Sequence, residues 1–269
     1  SATVREVEEE LGITVFMRNN RGITVTAEGE EFLGYAKQVV EQYHLLENRY
    51  LNVESKKKFS VSMQHYSFAV KAFVQLAKEV GMDEYEFAVH ETKTKEVIDN
   101  VKNLKSEIGV LYLSDFNEKV LRKLFKECDI EFKELFTCNT YVYLWKKHPL
   151  AGKKVITLDD LQEYPCLTFE QGVNNSFYYA EEMMSTYEYK RVIKADDRAT
   201  MLNLMVGLNG FTLCSGIISE DLNGDDYAAI PLKESEKMHI GYIKHKGTKL
   251  SKLGEIYIDA LKNYENKVL

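Results

Sequence analysis

Short apolar runs alternate with amphipathic stretches from residue 59 onward, and this alternation constrains the fold more than any other feature of the chain. The run 108–113 is almost continuously apolar, as expected for a strand buried on both faces of a sheet. Strands that alternate with helices predict an α/β architecture with parallel sheets. The predicted strands are 59–64, 85–90, 108–113, 132–136, 140–145, 166–169, 192–195, 211–214, 227–231 and 238–244, and the predicted helices are 66–80, 94–104, 158–162, 177–187, 198–208 and 250–264.

The first residues follow a different pattern. Three apolar residues recur at helical spacing ahead of Gly12, where a helix would end. Two short apolar segments, 13–16 and 23–25, flank a turn rich in Asn, Arg and Gly. Residues 1–26 are therefore predicted to form a helix followed by a two-stranded hairpin.

A long helix is predicted over residues 27–55, and its apolar residues are spaced four and three apart in turn. This is the spacing of the a and d positions of a coiled coil, and it favours pairing with a second copy. A single amphipathic helix packed on its own domain is the alternative. The seam residues are Phe32, Ala36, Val39, Tyr43, Leu46 and Tyr50.

The composition is that of an ordinary globular protein, with 45% hydrophobic residues, 29% charged residues and a net charge of −7. DNA-binding proteins usually present a basic surface, so composition alone argues weakly against nucleic acid. The cysteines are dispersed, which favours buried thiols in a reducing cytoplasm; a redox-sensing thiol is the alternative. We find no signal peptide and no membrane-length apolar stretch, so neither export nor membrane insertion is expected.

Motifs of the common enzyme classes are absent from the sequence. It has no nucleophile elbow, no Gly-rich phosphate loop and no Cys/His set at metal-ligand spacing. His148, within His-Pro-Leu, is best explained as a structural turn residue. We therefore expect no enzyme activity, no cofactor and no metal.

The opening segment carries an ordered series of residues that ends in a glycine-flanked hairpin. The series comprises Ser1, Val4, Val7, Glu8, Leu11, Gly12, Phe16, Arg18, Gly22 and Gly29. It resembles the end of the winged helix-turn-helix of LysR-type transcription regulators, with Val7 where the family usually has Leu. Two later segments, 147–165 and 204–213, resemble elements of the same family, with Asn209 as a departure.

The resemblance implies a partial winged helix, a long linker helix and two Rossmann-like α/β subdomains joined by two crossover strands. This last part is similar to the type 2 periplasmic binding fold. The implied domains are 1–26, a remnant of the DNA-binding domain; 27–55, the linker and dimerisation helix; and 59–269, the effector-binding domain. Subdomain I is about 59–137 with 238–269, and subdomain II is about 138–237.

By their positions in the family, residues of the recognition helix and wing are expected to face DNA. They are Ser1, Ala2, Thr3, Arg5, Arg18, Asn19, Asn20 and Arg21. Arg5 suits a phosphate contact, with an ion pair to Glu9 as the alternative. The wing residues suit phosphate or minor-groove contact, with a plain hydrophilic turn as the alternative. By the family's pattern the sequence begins inside the recognition helix, so operator binding is expected only of a full-length protein.

Ligand sites in open α/β sheets lie beyond the carboxyl ends of strands, where helix N-termini present free N–H groups. The candidate effector residues are Gln64, His65, Tyr66, Ser67, Thr92, Lys93, Ser114, Asn139, Gln171, Asn174, Ser176, Asp196 and Ser215. The predicted helix starts at Ser67 and Ser176, with Lys93, favour a small organic anion or an amino acid. Ser67, Ser176 and Asp196 are equally good helix caps without any ligand.

The leading hypothesis is a cytoplasmic, homodimeric or homotetrameric LysR-type regulator that binds a small effector in the cleft between its subdomains. Effector binding would shift the balance between assembly geometries. The alternative is a solute-binding protein of the type 2 periplasmic binding fold, against which the linker helix and the lack of a signal peptide argue.

Overall fold

The computed structural model describes residues 2–19, 22–50, 56–174, 176–218 and 220–264. Contacts divide the chain into two units, Ser1–Lys56 and Lys57–Leu269. The predictions for Ser1, Asn20 and Arg21 lie outside the described residues, as do those for the side chains of Ala2, Arg18, Asn19 and Tyr50. The first unit contains α1 (Ala2–Leu11), β1 (Phe16–Asn19), β2 (Gly22–Val25) and α2 (Ala27–Tyr50).

Side-chain oxygens fix the turns of the first unit. The carboxylate of Glu8 in α1 accepts the N–H groups of Val15 at 2.7 Å and Phe16 at 3.0 Å, which ties the helix to the hairpin β1–β2. Thr26 Oγ1 accepts the N–H of Gly29 at 2.8 Å and so caps α2. Gly29 is needed there because a Cβ would collide with the carbonyl of Val15.

The second unit alternates strands and helices. Its strands are β3 (Lys57–Met63), β4 (Tyr85–Glu91), β5 (Ile108–Leu113), β6 (Ile130–Cys138), β7 (Tyr141–Trp145), β8 (Cys166–Phe169), β9 (Val192–Ala195), β10 (Thr212–Cys214), β11 (Tyr227–Pro231) and β12 (Met238–His245). Its helices are α3 (Ser67–Val80), α4 (Thr94–Lys102), α5 (Glu118–Glu127), α6 (Leu158–Leu161), α7 (Arg198–Leu208), α8 (Glu220–Asn223) and α9 (Lys252–Lys262).

Subdomain I is built on a five-stranded sheet of order β4-β3-β5-β12-β6. Strands β4 and β5 run parallel to β3, whereas β12 is antiparallel to both of its neighbours. Helices α3 and α9 cover one face, where Tyr257 donates its hydroxyl to the Ala69 carbonyl at 3.1 Å. Helices α4 and α5 cover the other face through Val97 and Leu121. Because both faces are covered, β5 is buried throughout, as its apolar run predicts.

Subdomain II contains an antiparallel sheet of order β10-β7-β11 and a parallel pair, β8-β9. A bridge between Cys166 and Phe211 links the two sheets. Helix α7 packs on them through Met201 and Met205, which contact the cluster around Leu167. The α/β class and the two subdomains are confirmed. The prediction of parallel sheets holds only in part, because β12 and the β10-β7-β11 sheet are antiparallel.

The helix predicted over 177–187 is the main error in the secondary structure. Only a single 3₁₀ turn, Phe177–Tyr179, forms there. The backbone carbonyls of Tyr179 and Ala180 accept side-chain hydroxyls of Thr94 and Tyr112 at 2.7 and 3.1 Å. These hydrogen bonds take the place of helical ones, so tertiary contacts override the local helical pattern.

We expect Gly241→Ala to destabilise the second unit by about 1–3 kcal/mol, because the added methyl overpacks a closed site. A Cβ at Gly241 would lie 2.5 Å from the Lys133 carbonyl, where the register between β12 and β6 shifts by one residue. Gly152→Ala is the matched control, since a Cβ there meets nothing within 4 Å. Urea unfolding measures both variants, and equal midpoints would contradict this account of Gly241.

Candidate functional site

The two subdomains face each other across a cleft that polar and aromatic contacts bridge. Arg198, the first residue of α7, donates to the carboxylate of Glu91 at the end of β4, with Nη2 at 2.5 Å and Nε at 3.1 Å. Lys93 lies 3.4 Å from Asp196, and the ring of Phe116 stacks on Tyr178 at 4.8 Å. The described cleft is therefore closed by contacts from both sides.

A buried network of side-chain amides and hydroxyls lies deeper in the cleft. Gln64 Nε2, just after β3, donates to Thr94 Oγ1 at 2.6 Å. The N–H of Thr94 at the start of α4 donates to Gln171 Oε1 at 3.1 Å. Gln171 Nε2 in turn donates to Glu181 Oε1 at 2.9 Å. A helix start of subdomain I is thus joined to a loop of subdomain II.

The carboxylate of Glu181 occupies the turn that precedes α3. Its Oε2 accepts both the backbone N–H of His65 and His65 Nδ1, each at 2.8 Å. Both side chains are buried, and the imidazole stacks on Phe169 at 3.7 Å. An ionised carboxylate can only accept, so Nδ1 carries the proton. A carboxylate of the chain itself therefore lies where the sequence predicts an anionic ligand.

Beside Glu181 lies a cavity of about 90 Å³, enough for several waters or a small organic molecule. Its wall is mostly apolar and combines side chains of α7 with those that follow β10. These wall residues are Met201, Leu202, Met205, Ile217 and Ile218. Polar groups reach the cavity from both subdomains. They belong to His65, Ser67, Glu181, Glu182, Arg198, Thr212, Ser215 and Asn223.

The hydroxyl of Tyr143 is an unsatisfied group in this wall. Tyr143 is 9% exposed, and its oxygen makes no hydrogen bond to the described residues. Burial raises the pKa of this phenol, with the neighbouring Asn223 acting in the opposite direction. The tyrosine therefore stays protonated and offers a donor to whatever fills the cavity.

The carboxyl of Glu182 is buried beside Glu181 with little to compensate its charge. It is 5% exposed, and Oε1 accepts the N–H of Phe169 at 2.9 Å. Burial, followed by repulsion from Glu181, raises the pKa of Glu182 from 4.5 to about 8. Of the two adjacent carboxyls, Glu181 is paired with His65, and Glu182 is mostly protonated at neutral pH.

The cavity and its network bring together eight of the thirteen predicted effector residues. Those at the cavity are His65, Tyr66, Ser67 and Ser215, and those that make cross-cleft or network contacts are Gln64, Lys93, Gln171 and Asp196. Ser114 lines a second cavity of about 50 Å³ that also reaches Glu182. The rest, outside the lining of both cavities, are Thr92, Asn139, Asn174 and Ser176.

Sequence reasoning missed the residues that give the cavity its chemistry, above all Glu181 and Glu182. Their segment carries a helical pattern, in which adjacent glutamates are assigned to a solvated face. No local signal identifies them, because two glutamates followed by Met183 and Met184 fit opposite faces of an amphipathic helix. Arg198 was recognised only as the start of a helix.

Burial limits the reactivity of the other candidate functional groups, the cysteine thiols and the imidazole of His148. Cys138 and Cys214 are free thiols whose pKa values burial raises to about 12, so thiolate reactivity is suppressed. His148 is buried, donates its Nε2–H to the Asn209 carbonyl at 2.9 Å, and has its pKa lowered by burial. Within the described ranges, no three His, Cys, Asp or Glu side chains are grouped to hold a metal ion. None of the helices described is both long and apolar enough to span a membrane.

We predict that Glu182 makes the stability of the chain fall as pH rises toward 8. Below its ordinary pKa of 4.5 this carboxyl is protonated in both the folded and unfolded chains. Between pH 4.5 and about 8 only the folded chain retains the proton, so the contribution is lost as pH rises through the folded pKa. Relative to Glu182→Gln, the native chain should lose up to about 1.4 kcal/mol per pH unit in this interval.

Urea unfolding of both chains from pH 5 to pH 9 measures this slope. Glu163→Gln, at an exposed glutamate paired with Lys190, serves as the control and should follow the native chain. Parallel stability curves for the native chain and Glu182→Gln would contradict the assignment.

Comparison with known proteins identifies the family. The model of the LysR substrate binding domain matches residues 82–265. The transcriptional dual regulator GltC of Bacillus subtilis is 28% identical over 182 residues, which span 64% of this chain and 55% of GltC. The regulator CysL of Bacillus subtilis is 24% identical over 281 residues, covering 100% of this chain and 89% of CysL.

A solved structure agrees with these sequence matches in fold. Full-length OxyR from Pseudomonas aeruginosa superposes with a TM-score of 0.64 at 16% identity, covering 97% of this chain and 84% of that one. The family match covers most of the second unit, from residue 82 after α3 to residue 265. The chain therefore belongs to the LysR family of transcription regulators.

Proposed function

We propose that this chain senses a small-molecule effector, which binds in the cavity between subdomains I and II. The observation that carries the proposal is that cavity: it is lined from both subdomains and bordered by polar contacts that cross the cleft. The family match to a substrate binding domain supports a ligand at this place. A ligand that contacts both subdomains shifts the equilibrium between the open and the closed arrangement of the cleft.

We propose the domain division predicted from sequence, with residues 1–26 as part of a DNA-binding domain and 59–269 as the effector domain. Subdomain I comprises about 59–137 and 238–269, and subdomain II about 138–237. The chain passes between the subdomains at β6–β7 and again at β11–β12, and these two connections support the bounds. There the N–H of Thr140 donates to Ser235 Oγ at 2.8 Å, so the two connections contact each other. Such paired connections suit a hinge.

We propose that the full-length protein, in the cytoplasm, binds operator DNA through the recognition helix and wing. In α1, Thr3 and Arg5 are exposed on the first turns, where a recognition helix meets DNA. The other residues expected to face DNA stay predictions from the sequence. They are Ser1 and Ala2 of the recognition helix and Arg18, Asn19, Asn20 and Arg21 of the wing.

We propose that α2 pairs with a second copy of itself. Its apolar residues are exposed, with Val39 at 68%, Tyr43 at 57% and Leu46 at 58%. The ion pair Lys37–Glu41 lies on the opposite side of the helix. An exposed apolar stripe at heptad spacing favours a coiled-coil dimer, to which effector domains can add a second association.

The effector proposal predicts a ligand whose affinity depends on Leu202. A thermal-shift screen of amines, amino acids, carboxylates and sugars should yield a compound that stabilises the chain by about 2.7 kcal/mol at 100 times its Kd. Leu202→Trp narrows the cavity from a half-buried position and should weaken that compound by about tenfold or more. Leu208→Trp, exposed on the same helix, should not. A ligand unaffected by Leu202→Trp would place the site elsewhere.

The dimer proposal predicts that Val39→Glu with Leu46→Glu dissociates the chain. Two unpaired carboxylates buried in the seam should raise the dissociation constant by about tenfold or more each. Lys37→Glu introduces the same group on the other side of α2 and should leave the dimer intact. Sedimentation velocity measures all three. A native chain that sediments as a monomer at all concentrations, or a double variant whose dissociation constant equals that of the native chain, would contradict the seam.

A further inference from the structure

The charges around the cavity do not balance. The Glu181 carboxylate is paired with His65, and the Arg198 guanidinium is paired with Glu91. Among the described residues, no Lys, Arg or His lies within ion-pair distance of Glu182. A buried carboxylate needs either a proton or a cation as partner. The cavity that Glu182 lines is the space from which a cation could reach it.

The wall defines the rest of the partner. The five apolar side chains from α7 and the segment after β10 would enclose an uncharged aliphatic or aromatic body. In the same wall, the hydroxyl of Tyr143 is buried and lacks a well-formed hydrogen bond to the described residues, with Asn223 as its polar neighbour. It is an observation independent of the two glutamates, and it indicates a missing polar group in the same cavity.

An anion fits this cavity poorly. The backbone N–H and the ring Nδ1–H of His65, just ahead of α3, already bind Glu181 at 2.8 Å. An incoming anion would meet the carboxylate of Glu181, and the guanidinium of Arg198 at the cavity is already engaged by Glu91. Like charges at this depth in the protein repel strongly.

We propose that the effector is a small ammonium compound with an apolar body, and that the carboxylates of Glu182 and Glu181 hold its charged nitrogen. The inference rests on the proposed function, since it names the ligand class of the same cavity. The ammonium group provides the cation that Glu182 lacks. The apolar body fills the space along α7, and the Tyr143 hydroxyl lies in reach of a polar substituent.

Proton release accompanies this binding. An aliphatic amine stays protonated below pH of about 10, so only Glu182 changes its protonation state. Since the pKa of Glu182 is about 8, the free chain must lose that proton when an ammonium binds at neutral pH. Affinity should therefore rise by up to about tenfold per pH unit from pH 6 to 8 and then level off.

Few other groups near Glu182 titrate in this interval. Those that face it are Glu181, Tyr66, Tyr112, Cys166 and Tyr189, with Glu236 at the second cavity. Burial raises the pKa of the three phenols and of the thiol, so they stay neutral. The imidazole of His65, held by Glu181, is common to the native chain and to a Glu182 variant.

The test compares matched probes by calorimetry on the whole chain. One set is isoamylamine, isoamyl alcohol and isovalerate, and a second is benzylamine, benzyl alcohol and benzoate. We expect each amine to bind about tenfold or more tightly than its alcohol, because a hydrogen bond to a charged group is stronger than one to a neutral group. The carboxylates should not bind measurably. Leucine carries a carboxylate beside its ammonium group, so its affinity relative to that of isoamylamine shows whether the cavity prefers an amino acid or a simple amine.

Glu182→Gln should remove both the preference for the amine and the pH dependence, while Glu163→Gln should keep both. If Glu182→Gln does not fold, the pH dependence of amine affinity in the native chain still tests the inference. Equal binding of amine and alcohol, or tighter binding of a carboxylate, overturns the inference. A carboxylate that binds and is weakened by Leu202→Trp would overturn it while leaving the effector site between the subdomains in place.

Discussion

The contact between Glu181 and His65 is the interaction on which the arrangement of the cleft depends. It buries an ionised carboxylate between two subdomains, which is tolerated only because three N–H donors surround it. Those donors come from the turn before α3 and from Gln171, so the carboxylate holds both subdomains at once. Because His65 is paired with Glu181, the adjacent Glu182 has no cationic partner among the described residues. The cavity therefore has an uncompensated carboxyl group in its lining.

The segment around Glu181 also explains where sequence reasoning succeeds and fails on the fold. The bounds of α7 follow from local signals: Asp197 caps its start through the N–H of Thr200, and Asn209 ends it in a left-handed conformation. The strand β5 follows from an apolar run that both faces bury. The stretch 177–187 has equally helical periodicity, but its carbonyls accept hydroxyls from the other subdomain. Those donors lie more than 60 residues away, and no local pattern contains them.

The candidate site likewise contains residues that the sequence predicts and residues that it does not. Residues after strand ends were predicted because topology alone brings strand ends together, and His65, Ser67 and Ser215 do lie at the cavity. Glu181 and Glu182 belong to no strand end or helix cap, and their position depends on how an irregular segment crosses the cleft. The expectation of an anion at the start of α3 stays a prediction. The N–H of His65, in the turn before that helix, donates to a glutamate more than 110 residues further along the chain, a contact that no local pattern contains.

The energies of the cleft contacts indicate how the cleft could open to admit a ligand. The side chains of Arg198 and Glu91 are about one quarter exposed, at 23% and 25%, so water screens their attraction. Lys93 and Asp196 are more exposed still, and an exposed pair contributes about 0–1 kcal/mol. Separating these rim contacts therefore costs little compared with disrupting the network around Glu181. Opening at the rim, with the buried carboxylates as the fixed floor, lets a ligand reach Glu182 without first breaking the interaction that joins the subdomains.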